Sequence, residues 1–535
     1  MKFDFNNPYP TTRIPVMARN VCSTSHPLAA QAGLRMMWKG GNAVDAAIAA
    51  AAAMTICEPV SNGLGSDSFA ILWDGKELHG LNSSGPAPAT WTPEYFRKKH
   101  GDAKKPPKRG FDSASVPGAV ASWVALSERF GKLPFADLLE PAIDIAERGY
   151  LLPVVVQQKW ADAIPELGHL PGFAQSFMPW GRAPEVGELF QFKAAARALR
   201  AIAQSKGEAF YGGESAQAIE KFSAANGGSM TARDLANFKP EWVKPIEKNY
   251  RGYTLHEIPP NGQGIAALIA LGILEQFDLG GMPVDGPDVQ HLKIEAMKLA
   301  FADTYQFVAE RKAMEVTTEQ LLDDAYLKSR ARLIDLKKAQ DFKAGNPVKG
   351  GTIYLTAADE NGMMISFIQS NYMGFGSGCV EPTFGISLQN RGHGFSLEPG
   401  ANQVAPGKRP FHTIIPGFLT QQGQPVMSFG VMGGNMQPQG HMQTLVRMLD
   451  YKQSPQAACD APRWRFNQGL EINVEQQMDD ATVQALVGRG HRIEVLHDNY
   501  QDFGAGQFIW RAGNTKVEGY VAASDSRRDG LAAGF

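Results

Sequence analysis

Residues 349–378, KGGTIYLTAADENGMMISFIQSNYMGFGSG, decide the interpretation of the whole chain. Two runs rich in β-forming residues, 352–358 and 363–371, flank the tetrapeptide DENG at 359–362. Asn-Gly between two such runs is the strongest short signal for a β-hairpin turn. The stretch therefore predicts two antiparallel strands joined by a tight turn.

Pairing around this turn gives Thr352 a polar neighbour. The register places Thr352 opposite residues 369–371, so its hydroxyl faces Ser370 or an adjacent residue. Glycines before Thr352 and in the loop at 374–378 let other backbone segments approach closely. This setting suits a nucleophilic hydroxyl. The alternative is an ordinary strand threonine, which is the commoner case because threonine is a good strand residue.

The segments before the hairpin predict the layers that cover it. Residues 27–39 have the pattern of a helix, and Asn42 with Asp45 resembles a capping box that opens an alanine-rich helix at 43–57. Residues 66–82 read as two strands around an Asp-Gly turn. Small residues favour close packing of helices on sheets, so this order suits a layered α/β sandwich.

The rest of the chain alternates between a helical region and further strands. Helices are expected at 118–130, 136–148, 189–205, 214–225, 264–277, 287–310, 318–335 and 437–450, and near Ser454. Strands are expected near 244–258, 384–389, 411–420, 425–431, 470–475, 492–497 and 505–511. The polar, turn-rich residues 337–351 predict a loop that ends at Thr352.

Composition excludes several classes of function. The 535-residue chain has a formal net charge of −2 and no strongly basic run, which argues against nucleic acid or an anionic membrane as a partner. The four cysteines are widely scattered, and the histidines do not show ligand-type spacing, so no metal or other cofactor is predicted.

The N-terminal and apolar segments indicate a soluble protein. Residues 1–15 contain charged residues and prolines where a signal peptide needs an apolar run. The longest apolar stretch, 43–57, is shorter than the roughly 20 residues that a membrane-spanning helix requires. We therefore expect a cytoplasmic protein without a membrane partner.

Short motifs in a fixed order connect the chain to a known family. They are the hairpin stretch itself, GGNAVDAA (40–47), EPVSNGLG (58–65), SVPGA (115–119), PPNGQG (259–264), PGKRP (406–410), MGG (432–434) and SDSRRDG (524–530). In order and spacing they resemble the γ-glutamyltransferase family of N-terminal nucleophile hydrolases. The resemblance implies a four-layer αββα sandwich with a mainly helical region in the large subunit.

The resemblance also implies that the chain cuts itself. The cleavage site would be the bond between Gly351 and Thr352, giving a large subunit of residues 1–351 and a small subunit of residues 352–535 that together form one αββα unit. Thr352 would then be an N-terminal nucleophile whose own amine acts as the base. The resemblance also allows two such heterodimers to assemble as a homodimer.

Three further catalytic positions follow from the same motifs. Ser370 stands where the family has a second hydroxyl residue that supports the nucleophile. Gly433 and Gly434 stand where backbone N–H groups receive the oxyanion, a role that suits residues without a side chain. As bare sequence, a Gly-Gly pair is more often a turn.

The substrate positions depart from the γ-glutamyl enzymes. Those enzymes bind a glutamyl carboxylate and ammonium through residues whose places are taken here by Ser84, Tyr372, Arg391, Gly394, His412 and Thr413. The acidic partner for an ammonium is missing, and the new arginine can bind a carboxylate in a bidentate manner. The alternatives are that Arg391 pairs with an internal carboxylate and that His393 and His412 are structural.

The resemblance therefore implies an amidohydrolase for a small amide with an acidic group. Among relatives, the oxamate amidohydrolases of purine breakdown fit best. The alternatives are a γ-glutamyltranspeptidase or glutathione hydrolase, a cephalosporin- or glutaryl-type acylase, and an uncleaved, inactive relative with a binding role.

Overall fold

The computed structural model describes residues 13–342, 351–497 and 503–535. Its strands are β1 (Val16–Ala18), β2 (Val21–Thr24), β3 (Asp67–Trp73), β4 (Leu78–Ser83), β5 (Tyr150–Leu151), β6 (Leu189–Phe190), β7 (Glu241–Val243), β8 (Ile246–Tyr250), β9 (Tyr253–Glu257), β10 (Gly351–Ala358), β11 (Met364–Tyr372), β12 (Val380–Glu381), β13 (Ile386–Ser387), β14 (Gly417–Gln421), β15 (Gln424–Met432), β16 (Trp464–Gln468), β17 (Glu471–Glu475), β18 (Arg492–Leu496), β19 (Ala505–Arg511), β20 (Tyr520–Ser524) and β21 (Leu531–Gly534).

The described residues also form α-helices, several of which pack against the strands. They are α1 (Pro27–Trp38), α2 (Ala43–Cys57), α3 (Pro93–His100), α4 (Ala119–Phe130), α5 (Phe135–Arg148), α6 (Val154–Leu167), α7 (Phe173–Phe177), α8 (Lys193–Ser205), α9 (Glu208–Tyr211), α10 (Glu214–Ala225), α11 (Ala232–Ala236), α12 (Ile265–Leu274), α13 (Pro287–Phe307), α14 (Thr318–Leu321), α15 (Asp324–Ala331), α16 (Met436–Leu449), α17 (Pro455–Asp460) and α18 (Asp480–Gly488).

Two seven-stranded antiparallel sheets form the centre. One sheet has the order β21-β2-β10-β11-β3-β4-β7, with the predicted hairpin in its middle. The other has the order β1-β20-β19-β15-β14-β9-β8. Both sheets combine strands from before and after Thr352, so neither part of the chain can complete a sheet alone.

The alternation of side chains along β10 defines the layers. Ile353 and Leu355 pack with the alanine-rich helices α1 and α2 in one apolar core. Tyr354 packs between the sheets, together with Ile368 and Phe418. A third core lies between the second sheet and helices α12, α13 and α16. Because successive strand residues point to opposite faces, Thr352 faces the space between the sheets. The predicted four-layer αββα sandwich is confirmed.

Several predicted elements change at their ends for local reasons. The helix expected at 189–205 begins at Lys193, because residues 189–190 pair as strand β6. The helix expected at 318–335 divides into α14 and α15, since the side chain of Asp323 accepts a hydrogen bond from the N–H of Tyr326 and starts a second helix. The strand expected at 411–420 begins only at Gly417, because the proline before it has no N–H for the ladder.

Other elements lay outside the predictions. The sequence did not predict helix α6 or strands β1, β2, β20 and β21. These four strands lie at one end of each sheet. The loop expected at 337–351 has no helix or strand through residue 342, and residues 343–350 lie outside the described part. Gly351 already belongs to β10. Among the described residues, no helix is both long enough and apolar enough to cross a membrane.

Candidate active site

Thr352 lies at an irregularity in the central hairpin. Gly351 pairs with Tyr372 and Ile353 pairs with Gln369, so two residues of β11, Ser370 and Asn371, oppose the single residue Thr352. This β-bulge re-aims the side chains beside it. The Oγ1 atom of Thr352 lies 3.1 Å from Oγ of Ser370, and both side chains are buried. The predicted pairing of the two hydroxyls is confirmed, while their catalytic roles stay predictions.

Ser370 is itself held in place by the backbone. The N–H of Tyr372 donates a hydrogen bond of 2.8 Å to Oγ of Ser370. Tyr372 has a φ of +76°, a conformation that is unfavourable for a non-glycine residue. The hydrogen bond from the N–H of Tyr372 holds the serine hydroxyl beside Thr352.

Gly433 and Gly434 form the connection between β15 and α16. Their φ angles are +125° and +61°, which favour glycine. A Cβ on Gly433 would lie 3.0 Å from Cα of Gly504, so a side chain has little room there. Within the described part of the chain, neither N–H group has a hydrogen-bond acceptor. The side-chain amide of Gln263 donates to the carbonyl of Gly434 at 3.0 Å and fixes the loop.

The first turn of α16 links this glycine loop to Thr352. Nε2 of Gln437 lies 3.4 Å from Oγ1 of Thr352. Oε1 of the same side chain accepts a hydrogen bond of 2.9 Å from the N–H of Ile415. The sequence interpretation missed Gln437. Its place three residues after Gly434, in the first turn of a predicted helix, was the available signal.

A buried polar cluster lies one strand away from Ser370. Asp67 pairs with Ser370 across β3 and β11, and its Oδ2 atom lies 2.5 Å from Nε2 of His412 and 3.4 Å from Nε of Arg391. Nη1 of Arg391 donates to Oγ1 of Thr413 at 2.7 Å. All of these side chains are buried.

Tyr372 joins this cluster through its ring. The guanidinium carbon of Arg391 lies 4.3 Å from the ring centre of Tyr372, which is a cation–π contact. The structure thus brings together four of the predicted substrate positions, Tyr372, Arg391, His412 and Thr413, and it adds Asp67, which the sequence interpretation missed. Asp67 lies more than 300 residues before Arg391 in the chain, so no local pattern indicated it.

The charges in the cluster are assigned from hydrogen bonds. Burial and, secondly, the charge of Arg391 lower the pKa of His412 to about 4, although Asp67 acts in the opposite direction. Nδ1 of His412 accepts a hydrogen bond of 3.3 Å from the N–H of Ile414, so this ring nitrogen carries no proton. His412 is therefore neutral and donates from Nε2 to Asp67.

Arg391 supplies the positive charge of the cluster. Burial acts to raise the pKa of Asp67, but the interactions with His412 and Arg391 outweigh it and hold this pKa below its usual value. Since His412 is neutral, the charge that lowers the pKa of Asp67 is that of Arg391. Burial lowers the pKa of Arg391, yet a guanidinium keeps its charge in proteins. Arg391 and Asp67 thus form a buried ion pair, the internal pairing that the sequence left open.

The ion pair does not use every polar atom. Nη2 of Arg391 and Oδ1 of Asp67 are buried and have no hydrogen-bond partner among the described residues. Unmade hydrogen bonds of buried polar atoms are costly. The guanidinium therefore retains an N–H donor that a ligand with an acceptor oxygen can satisfy.

Two predicted residues lie apart from this cluster. Ser84 hydrogen-bonds to Asn82 at 2.7 Å and to Asn261 at 3.2 Å, behind the segment that carries His412. His393 bonds through Nδ1 to the carbonyl of Pro106 at 2.7 Å. This contact agrees with the structural interpretation of His393.

The described residues include a buried group with metal-ligand side chains that the sequence spacing had not indicated. His291, Glu295 and His491 have ligand atoms within 4.8 Å of one another. However, Nδ1 of His291 already lies 2.8 Å from Nε2 of His491, and Nζ of Lys298 lies 2.7 Å from Oε1 of Glu295. The lysine charge opposes a cation, so these contacts favour a hydrogen-bonded cluster.

Comparison with known proteins agrees with this geometry. A family model described as gamma-glutamyltranspeptidase matches residues 29–535. The chain belongs to the gamma-glutamyltranspeptidase family. A crystal structure titled cephalosporin acylase from Bacillus halodurans superposes with a TM-score of 0.95 at 47% sequence identity and covers 100% of this chain and 99% of that one.

Two relatives match this chain over nearly its whole length. The Glutathione hydrolase-like YwrD proenzyme of Bacillus subtilis (strain 168) is 36% identical and covers 95% of this chain and 97% of its own length. The Oxamate amidohydrolase proenzyme of Klebsiella pneumoniae is 34% identical and covers 97% of this chain and 99% of its own. The chain is therefore an enzyme of a family of self-processing N-terminal nucleophile hydrolases.

Proposed function

We propose that this enzyme cuts itself between Gly351 and Thr352 and then hydrolyses a small amide whose acyl group carries a carboxylate. The observation that carries the proposal is the buried Thr352 hydroxyl, which lies 3.1 Å from Ser370 at the beginning of β10. The family names a class of reaction, and this contact supports a particular nucleophile within it.

Self-cleavage uses the hydroxyl that later serves in turnover. Oγ1 of Thr352 attacks the carbonyl carbon of Gly351, and the C–N bond between the two residues breaks as the acyl group moves from nitrogen to oxygen. Water then hydrolyses the resulting ester. The products are a carboxylate on Gly351 and a free amine on Thr352.

In turnover the new amine acts as the base. An α-amine has a pKa near 8, so a useful fraction is unprotonated at neutral pH. Oγ1 of Thr352 attacks the amide carbon and passes its proton to this amine, while the N–H groups of Gly433 and Gly434 receive the oxyanion. The leaving amine takes the proton as the C–N bond breaks. Water hydrolyses the acyl-enzyme and releases the acid.

The charges around Arg391 support an acidic substrate without an ammonium group. Asp67 already pairs through Oδ2 with Arg391 and His412, so the positive charge of Arg391 balances its negative charge before any substrate ammonium binds. Nη2 of Arg391 is buried and lacks a partner among the described residues. A substrate carboxylate would satisfy this donor through a charge-assisted hydrogen bond.

Within this class we propose oxamate, whose carboxylate is directly bonded to the scissile amide carbon. The second candidate is a longer diacid amide of the glutaryl type, as in an acylase. The 47% identity to a cephalosporin acylase over the whole chain favours this second candidate. The two differ in the distance from carboxylate to amide carbon.

The first test is the mass of the purified protein. We expect the wild-type protein to give two chains in place of one chain of 58.0 kDa, and Thr352→Ala to give a single uncut, inactive chain.

The second test is a substrate panel, in which the cut enzyme is assayed with oxamate, a glutaryl amide, glutathione and γ-glutamyl-p-nitroanilide. Turnover of the first or second compound, with little on the γ-glutamyl compounds, is expected. A cut and active Thr352→Ala protein would overturn the nucleophile, and efficient γ-glutamyl turnover alone would overturn the substrate class.

A further inference from the structure

We propose that Gln437 is a positioning residue that holds the hydroxyl of Thr352 and stabilises negative charge on it during attack. This inference rests on the proposed role of Thr352 as the nucleophile. The evidence for it is that Nε2 of Gln437 lies 3.4 Å from Oγ1 of Thr352. The side chain of Gln437 is fully buried.

The orientation of the Gln437 amide is fixed by its other end. Oε1 accepts a hydrogen bond of 2.9 Å from the backbone N–H of Ile415, and a backbone N–H can only donate. A flipped amide would place an N–H group against that donor. The end that faces Oγ1 of Thr352 is therefore the donating nitrogen.

The same turn of helix joins Gln437 to the predicted oxyanion loop. The N–H of Gln437 donates to the carbonyl of Gly434 at 3.2 Å. The carbonyl of Gly434 also accepts from Gln263 at 3.0 Å. The side-chain donor to Oγ1 and the glycine N–H groups thus belong to one rigid connection at the beginning of α16.

The chemistry of attack needs a neutral donor at this point. As Oγ1 passes its proton to the amine of Thr352, negative charge grows on the oxygen before the new C–O bond forms. A carboxamide N–H interacts with that charge and cannot compete with the amine for the proton. A distance of 3.4 Å is long for a resting hydrogen bond, and such contacts tighten in the reacting complex.

Gln437→Glu separates this role from a structural one. A glutamate keeps an oxygen for the N–H of Ile415 but loses the donor to Oγ1. We expect kcat to fall about 10- to 100-fold, in line with loss of one charge-assisted hydrogen bond, while KM stays within about twofold. The added carboxylate also raises the pKa of the Thr352 amine, so the acid limb of the kcat/KM profile moves to higher pH.

Gln437→Met lacks both hydrogen bonds and is expected to lower kcat without moving that limb. The matched control is Gln443→Glu, on the same helix and also buried, whose side chain hydrogen-bonds, among the described residues, only to the backbone of Trp464, at 3.0 and 3.3 Å. We expect it to keep the wild-type kcat and pH profile.

Several outcomes would overturn the inference. Gln437→Glu with wild-type kcat and an unmoved acid limb would do so, as would an equal loss in Gln443→Glu. If the Gln437 variants fail to fold, a crystal structure of the cut wild-type enzyme tests whether the hydrogen bond exists. A distance above about 4 Å between Nε2 of Gln437 and Oγ1 of Thr352 would exclude it. A wild-type protein that is neither cut nor active would instead refute the proposed function itself.

Discussion

Replacing Ser370 by alanine removes a hydroxyl that serves both the nucleophile and the backbone. Its Oγ atom lies 3.1 Å from Oγ1 of Thr352 and accepts from the N–H of Tyr372 at 2.8 Å. Alanine at this position leaves that buried N–H without its serine acceptor and leaves Thr352 without its serine partner. We therefore expect Ser370→Ala to impair both turnover and stability.

The magnitudes follow from the burial of the site. Ser370 is fully buried, and a buried donor left unsatisfied costs about 1 to 3 kcal/mol, which we expect as a loss of unfolding free energy. A barrier increase of about 1 to 3 kcal/mol corresponds to a fall in kcat of about 5- to 150-fold. Ser370→Thr keeps the hydroxyl and should retain most of the activity.

The assay compares kcat on the cut enzyme with the unfolding free energy from denaturant titration. The control is Ser366→Ala on the same strand, because Oγ of Ser366 lies 2.6 Å from the hydroxyl of Tyr354 and has no contact with Thr352 among the described residues. We expect this control to lose stability but keep kcat. The reasoning is refuted if Ser370→Ala turns over at the wild-type rate, or if Ser366→Ala loses as much activity.

Two further predictions concern the buried cluster around Asp67. Arg391→Gln should raise KM for carboxylate-bearing amides by about 10- to 100-fold, and should cost about 3 kcal/mol of stability because Asp67 loses its charge partner; equal KM values in steady-state assays would contradict this. Below pH 6.5 the unfolded chain binds a proton at His412, whereas folded His412, with a pKa of about 4, stays unprotonated. The unfolding free energy should therefore fall by about 3 kcal/mol between pH 6.5 and pH 4 because of this residue. Denaturant titrations at both pH values should give a smaller fall for His412→Gln, and an unchanged fall would be inconsistent with a neutral His412.

Local sequence signals determined the hairpin and its register. The Asn-Gly turn and the two flanking strand patterns placed Thr352 against Ser370, because pairing next to a tight turn is fixed by counting residues from the turn. The motif order also identified the family, and the alanine-rich α2 was predicted with its capping box. These features depend on neighbours in sequence or on patterns within one element.

Contacts between distant segments were decided only by the tertiary structure. Asp67 reaches Arg391 and His412 because β3 pairs with β11 in the sheet, and the chain between these strands gives no local sign of that pairing. Gln437 reaches Thr352 because α16 follows a strand of the opposite sheet and begins beside the central hairpin. The sequence by itself therefore determined the family, the central hairpin and the hydroxyl pair, whereas packing of the two sheets decided which charges and donors surround them, since side chains from separate strands meet only when both sheets are assembled.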